Sequence, residues 1–442
     1  PPGNGVRYNR VEFRTGSCMN NLHVKYLLVG GGLASSSAAD AIRQLDRDGS
    51  VLLVAQEVTR PYHRPPLSKE YLRRQKSRAE LFTHEPGWFE NHHVELRTGR
   101  RVAHLDIPRM AAVLDDGQAI SFDRMLLATG STPAALQIPG SRLPNLFYLR
   151  TLDDCELLHH AVDKARREGR QHESGRGKVA IIGGGVLGVE LAASLSQMGL
   201  SIDLLLSHAH PWNKFAGEAT GRFISLYLQK RGVRVRPLSP PRRLEGDGRV
   251  QRVELPDGTT VECDFSIAAV GAVPNRDLLH GTPIAAGRAI LTDEHCRTSV
   301  RGIYAAGDCA AIFDPLFGKH RVLDHWDNAA VTGRLAGRNM AGADEPYSTV
   351  NNFFSDVFEL TLNGWGDSRH IDRRLLRGAP NVDAPDFVEI GVAADGRIVQ
   401  VLSVGHQGED DVLRDLVGKR VRVDGNEEAL KDPKSGLRTL VG

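Results

Sequence analysis

Cysteine is scarce in this chain of 442 residues: Cys18, Cys155, Cys263, Cys296 and Cys309 are odd in number and scattered. That usage excludes a disulfide framework or a zinc cluster, gives no reason to expect a metal, and fits a reducing, cytoplasmic setting. No C-x-x-C or C-x-x-x-x-C occurs, so an internal redox dithiol of either spacing is absent from the sequence. Long apolar runs are also missing. Nothing approaches the roughly 18–20 residues of a membrane span, and no charged–apolar–small pattern opens the chain. Charge of one sign is not in excess: 56 Lys and Arg against 54 Asp and Glu leave +2. Nothing global therefore points to nucleic acid or an anionic membrane.

What the chain does have is a strand, a glycine turn and a helix, twice. Tyr26 to Val29 is an apolar run that reads as a buried strand. It breaks at Gly30, Gly31 and Gly32 and passes into small residues, Leu33 and Ala34 first, that suit a helix. Such a turn lets backbone approach a pyrophosphate, while the helix start supplies free N–H groups and the positive end of its dipole. Ser35 stands where G-x-G-x-x-G has its third glycine. The second instance is complete. Val179 to Ile182 runs into Gly183, Gly185 and Gly188, with Val186 and Leu187 between them.

The duplication extends beyond the turns. Asp116, Asp123, Gly130 and Pro133 recur as Asp257, Asp264, Gly271 and Pro274, each 141 positions later. The glycine turns, Gly30 and Gly183, lie 153 apart. The first unit is thus 12 residues longer between its glycine turn and its hairpin, in the interval that holds Pro61 to Tyr71, PYHRPPLSKEY. Two dinucleotide-binding units are expected, the first with an added segment for its own ligand. In that segment Ser68 is placed to cap a following helix.

A chain this long predicts two to four domains. Residues 1–18 have weak periodicity and Met19 would make a natural initiator, so 1–21 are read as an N-terminal extension. The expected units are 22–140 with 266–345, then 141–265, then an α+β tail from 346 to 442. A polar connection is expected over Arg166 to Lys178. The fold class is α/β, with two Rossmann-like domains and a C-terminal α+β domain.

The second unit lacks the acid that usually ends its second strand, because Leu206 and Ser207 stand there. An acid at that place binds the ribose 2′-OH of NADH and repels the 2′-phosphate of NADPH. His208, His210 and Lys214 follow, as a site tolerant of NADPH or as a solvated loop.

Pro61 to Lys69 resembles the segment found in apoptosis-inducing factor and the FAD-dependent ferredoxin reductases. The similarity runs on through Ala128-Thr129-Gly130, Val270 to Asn275, Gly307-Asp308 and Ser355-Asp356. Gly333 to Met340 is similar to apoptosis-inducing factor, residues 395–440 to the tail of bacterial ferredoxin reductases. The resemblance implies a glutathione-reductase-like architecture that binds FAD in the first unit and NADH or NADPH in the second. By it, Gly30 and Gly32 face the FAD pyrophosphate beside Leu33 and Ala34. Glu57 stands in for Gln56 at the adenosine ribose, and Arg64 and Lys69 line the flavin. Asp308 meets the ribitol. Val102, Ala128, Thr129, Gly130 and Gly307 complete the FAD contacts, with Asp324, His325 and Trp326 beside the isoalloxazine. Gly183, Gly185, Val186, Leu187, Gly188, Glu190 and Gly271 hold the nicotinamide cofactor.

The catalytic set implied is Lys69, Glu190, Trp326 and Phe354. Lys69 pairs with Glu190, and its cation favours electron gain by the flavin. Phe354 replaces the family's usual tryptophan at the nicotinamide. The expected function is a flavoprotein reductase passing hydride from NAD(P)H to FAD, and electrons to a ferredoxin- or rubredoxin-type protein, a quinone or O₂. The alternative is a redox-sensing interaction protein like apoptosis-inducing factor, with slow turnover. Homodimerisation is left open. Arg73, Arg74, Lys76 and Arg78 are a candidate docking patch for an acidic carrier, or a solvated face.

Overall fold

The computed structural model describes residues 22–171, 175–405 and 408–441. The expected N-terminal extension lies outside the described residues. The strand Leu22–Val29 sits at the centre of the first sheet, parallel to Val51–Val54 on one side and Ala119–Leu127 on the other. Val94–Arg97 extends the sheet beyond Val51–Val54, and Ile303–Ala305 joins in parallel on Ala119–Leu127. The hairpin expected at Asp116-Gly117 is present between the antiparallel strands Ala111–Leu114 and Ala119–Leu127. A strand from far along the chain thus completes the first unit.

The second sheet has the order Arg234–Arg236, Ser201–Leu205, Lys178–Ile182, Phe265–Ala268, Leu146–Phe147, all parallel. The expected boundary at 265/266 cuts the strand Phe265–Ala268, which pairs along its whole length within this second sheet. The chain crosses between units instead at Ser131–Pro133 and Ala272–Pro274, which pair antiparallel. Asn275 fastens this crossing. Its side-chain amide N–H donates to the Thr129 backbone carbonyl at 2.8 Å, and its backbone carbonyl accepts from the Thr129 hydroxyl at 3.0 Å. The helix after Thr151 runs from Leu152 to Glu168, with Thr151 and Asp154 in a capping box. The polar connection expected from Arg166 therefore starts later, and part of it (172–174) lies outside the described residues.

The tail is a five-stranded antiparallel sheet, Asn352–Val357, Leu360–Gly366, Ile398–Val404, Asp386–Val392, Arg373–Ala379, backed by the helix Asp410–Gly418. It is bonded to both other units. Glu389 accepts from the Gly217 N–H and the Thr220 hydroxyl at the start of the helix Glu218–Lys230. On the other side Arg321 is buried against Asp314, Asn351 and the Gly366 carbonyl. Burial would raise the Asp367 carboxyl, but bonds from Arg369 and Lys319 outweigh it and bring it to about 2.

Two helices position the first glycine turn. Leu33–Leu45 follows it, and Trp326–Met340 packs across that helix. The contact depends on small residues. A Cβ on Gly333 would stand 2.3 Å from the Ala34 carbonyl oxygen, and one on Gly337 2.5 Å from that of Ala38. Overpacking of this kind costs about 1–3 kcal/mol. Gly333→Val is expected to lower the apparent melting temperature followed by circular dichroism. An unchanged transition would contradict the close approach.

Candidate active site

The two glycine turns are built alike. Gly30 has φ +125° and Gly183 φ +118°, and a Cβ on either would meet a carbonyl oxygen, of Ala128 or Ala269, at 2.1 or 2.3 Å. Only glycine fits such a turn. By contrast, nothing lies within 4 Å of where a Cβ would stand at Gly32 or Gly185. Those two positions cap the helices Leu33–Leu45 and Val186–Gln197, and neither supplies a side-chain bond to the first N–H groups. Each turn thus presents open backbone and uncapped N–H donors, the arrangement a pyrophosphate needs.

Both turns open on one cleft of about 1540 Å³. That exceeds the roughly 300–1,000 Å³ of a single small-molecule pocket, and suits two dinucleotides. Its walls include Gly30, Gly32, Leu33, Ala34, Glu57, Arg64, Lys69, Val102 and Ala128 to Gly130 from the first unit. Gly183, Gly185, Val186, Leu187, Glu190 and Gly271 line it from the second, together with Gly307, Asp308, Asp324 to Trp326, and Phe354. Of the expected residues, Gly188 is not among the lining. A Cβ there would meet the Gly183 carbonyl oxygen at 2.0 Å, so its place is in helix-to-strand packing.

At the centre is a buried ion pair. Lys69 Nζ donates to Glu190 Oε1 at 3.0 Å, with the two side chains only 4% and 6% exposed. Ser355 also donates to Oε1 (2.9 Å) and Ser68 to Oε2 (2.6 Å). The carboxylate from the second unit is therefore held by the first unit and by the tail. Ser68 caps no helix: Pro65–Ser68 is a single 3₁₀ turn, and its hydroxyl is spent on Glu190. Lys69 Nζ stands 5.3 Å from the centre of the Phe354 ring.

Aromatic side chains continue around the pair. Trp326 is edge-on to Phe354 at 6.1 Å, and its indole N–H donates to His63 Nδ1 at 3.0 Å. That bond places the His63 proton on Nε2. His325 stacks on Phe353 at 5.2 Å, and burial holds its pKa below the ordinary value. Asp324 is exposed at the rim.

Toward the first glycine turn, the polar side chains of the cleft bond one another. Glu57 lines the cleft, yet its Oε1 accepts from Arg64 and its Oε2 from the Tyr62 hydroxyl, both at 2.6 Å. Its carboxylate anchors Arg64, and each of its oxygens can accept a further bond, so the ribose role expected of it is compatible with this arrangement. Arg64 donates in addition to the Arg150 carbonyl (2.6 Å). Asp308 is buried and accepts from Ser131 (2.8 Å) and from the Arg150 guanidinium (2.7 Å). Arg150 and Tyr62 were missed from the sequence, since a lone arginine after an apolar triplet carries no spacing signal. The basic patch is also largely committed: Arg74 pairs with Asp163, Arg73 bonds Ser194 and Gln75, and Arg78 bonds Thr59.

The described thiols are remote from redox use. Cys155, Cys263, Cys296 and Cys309 are buried and unpaired. Burial pushes Cys155 and Cys263 up to about 12 and raises Cys296 and Cys309 as well.

Residues 24–333 match the profile described as pyridine nucleotide-disulphide oxidoreductase, and 352–441 match the reductase C-terminal profile. The chain belongs to the pyridine nucleotide-disulphide oxidoreductase family. It is similar to the ferredoxin–NAD(+) reductase component of the anthranilate 1,2-dioxygenase system of Burkholderia cepacia, 28% identical over 94% of this chain and 99% of that protein. It is 30% identical to the 5,5'-dehydrodivanillate O-demethylase ferredoxin reductase subunit of Sphingobium sp., over 95% of this chain and 98% of the other. A solved ferredoxin reductase from Rhodopseudomonas palustris superposes with a TM-score of 0.86 at 26% identity, covering 95% of this chain and 100% of that one. Family members use FAD and NAD(P)H, and the chain is an FAD-dependent NAD(P)H oxidoreductase.

Removing one partner of a buried ion pair costs about 3–5 kcal/mol, whereas replacing both by apolar groups is often neutral. Glu190→Leu is expected to lower the apparent melting temperature, and the double variant Lys69→Met/Glu190→Leu to recover most of the loss. Additive losses in this double-mutant cycle would show that the pair is not energetically coupled.

Proposed function

We propose that this chain is the nucleotide-oxidising reductase of a short electron-transfer chain and delivers electrons to a small ferredoxin-type protein. The observation that carries the reading is the Lys69–Glu190 pair at the junction of two uncapped glycine turns, with Phe354 beside the ammonium. Bound FAD supplies the conversion of a hydride into single electrons. The chain's part is to hold the two dinucleotides and set the charge between them. Gly32 and Gly185 admit the pyrophosphates, and Arg150 with Ser131 orients Asp308 for a polar hydroxylated chain. Lys69 holds a positive charge where negative charge grows on reduction, and Glu190 fixes its position. The aromatic side chains of Phe353, Phe354 and Trp326 exclude water from the transfer path.

The acceptor is inferred from two observations. The relatives reported above are named for ferredoxin. The described thiols are buried and unpaired, which leaves no dithiol among them to pass electrons through. Quinone or O₂ as the main acceptor is the weaker reading, and an apoptosis-inducing-factor-like sensor is not favoured by relatives that are reductases. No helix among the described residues is long and apolar enough to cross a membrane. The few buried thiols support a cytoplasmic setting.

Lys69→Ala is expected to slow flavin reduction at least about tenfold, the scale of one lost charge-assisted contact. Stopped-flow absorbance at normal FAD content reads it, and an unchanged rate removes Lys69 from the chemistry. For the reading as a whole, rapid bleaching by NAD(P)H and rapid re-oxidation by a ferredoxin are expected. Sluggish re-oxidation with a long-lived reduced band would overturn it.

A further inference from the structure

We propose that the second unit accepts NADPH through a 2′-phosphate subsite formed by Ser207, His208 and Lys214. The proposal rests on the reductase reading and names the nucleotide it uses. In a dinucleotide unit of this kind the adenosine ribose lies at the end of the second strand, and an acid there selects NADH by repelling the 2′-phosphate. Here that strand, Ser201–Leu205, is followed by Leu206, which is buried with its N–H bonded to the Arg236 carbonyl at 2.9 Å. The first outward residues are Ser207 and His208, both exposed and both in the wall of the cleft. From Leu205 to Phe215 the chain contains no Asp or Glu. The one acid on the strand, Asp203, is buried on the sheet and held by Arg234 and Arg236 (2.5 and 2.6 Å). It cannot repel a phosphate at the strand end.

The cation is carried on a turn that is bonded to the second glycine turn. Trp212 donates its backbone N–H to the Gly184 carbonyl at 2.8 Å, and its own carbonyl accepts from Phe215 and Ala216. This turn leaves Lys214 exposed on the cleft wall, with no ion pair among the described residues. Trp212 lines the same wall, and its indole N–H is buried without a partner among the described residues. His210 does not join the group: its Nδ1 is within 2.9 Å of the Pro211 carbonyl, and its ring lies against Gly221. A hydroxyl, an imidazole and an ammonium with no competing carboxylate form a phosphate-binding set.

Two measurements on the FAD-loaded full chain test this. Steady-state oxidation of NADPH and NADH with ferricyanide gives the ratio of their kcat/KM values, expected at or above about 1. Lys214→Glu and Ser207→Glu are each expected to lower that ratio about tenfold or more, the scale of one charge-assisted contact reversed. Calorimetric titration with 2′,5′-ADP against 5′-AMP reads the subsite without turnover, and 2′,5′-ADP is expected to bind about tenfold more tightly. A wild-type preference for NADH beyond tenfold, a ratio unmoved by both variants, or equal binding of the two adenosine phosphates would overturn the proposal. If neither nucleotide reduces the enzyme, the reductase reading fails, while tighter 2′,5′-ADP binding would still support the subsite.

Discussion

The Lys69–Glu190 pair is the constraint on which the rest depends. A buried ammonium and a buried carboxylate are costly unless each is paired and the remaining valences are bonded. Here the carboxylate receives three donors from two other parts of the chain: Lys69 and Ser68 from the added segment, Ser355 from the tail. The Lys69 and Ser68 bonds need the first and second units docked, and the Ser355 bond needs the tail against the second, so the full set forms only when all three are in place. The pair therefore makes assembly of the domains and assembly of the site the same event.

Around that point the apolar core behaves consistently. Tyr62, Leu67, Tyr71 and Leu72 of the added segment share one core with Val189, Leu191 and Leu195 of the second unit's helix, and with Phe353 and Val357 of the tail. The 12 extra residues of the first repeat are thus a bridge as much as a ligand contact. Their prolines suit this, since Pro65 and Pro66 fix a short turn that aims Ser68 and Lys69 together at one carboxylate.

Most of this was legible where local chemistry dictates backbone. The paired glycine turns and the hairpin at Asp116-Gly117 follow from turn geometry and periodicity. Lys69 and Glu190 were legible only through the resemblance, because 121 residues separate them. What stayed hidden was partnership at a distance. Nothing in the spacing of Glu57, Tyr62 and Arg64 announces that the last two both bond the first. Arg150 carries no signal in the sequence and gains its partner only when the fold brings it against Asp308. The boundary at 265/266 failed for a related reason, since a short apolar strand does not announce which of two sheets will pair with it.

The scarcity of cysteine takes on meaning last. The family's name refers to disulfide chemistry, yet the four described thiols are each packed into the protein and raised by burial, away from the thiolate form an exchange reaction requires. Electrons that enter at the Lys69 end of the cleft must leave to a separate molecule. Of the described tryptophans, Trp88 is half-buried, Trp212 and Trp365 are buried, and Trp326 alone is exposed, at 38%. It stands in the cleft wall, edge-on to Phe354 and tethered by its N–H to His63. An indole held at its N–H and against a neighbouring ring has few rotamers left to lose when the cleft is filled.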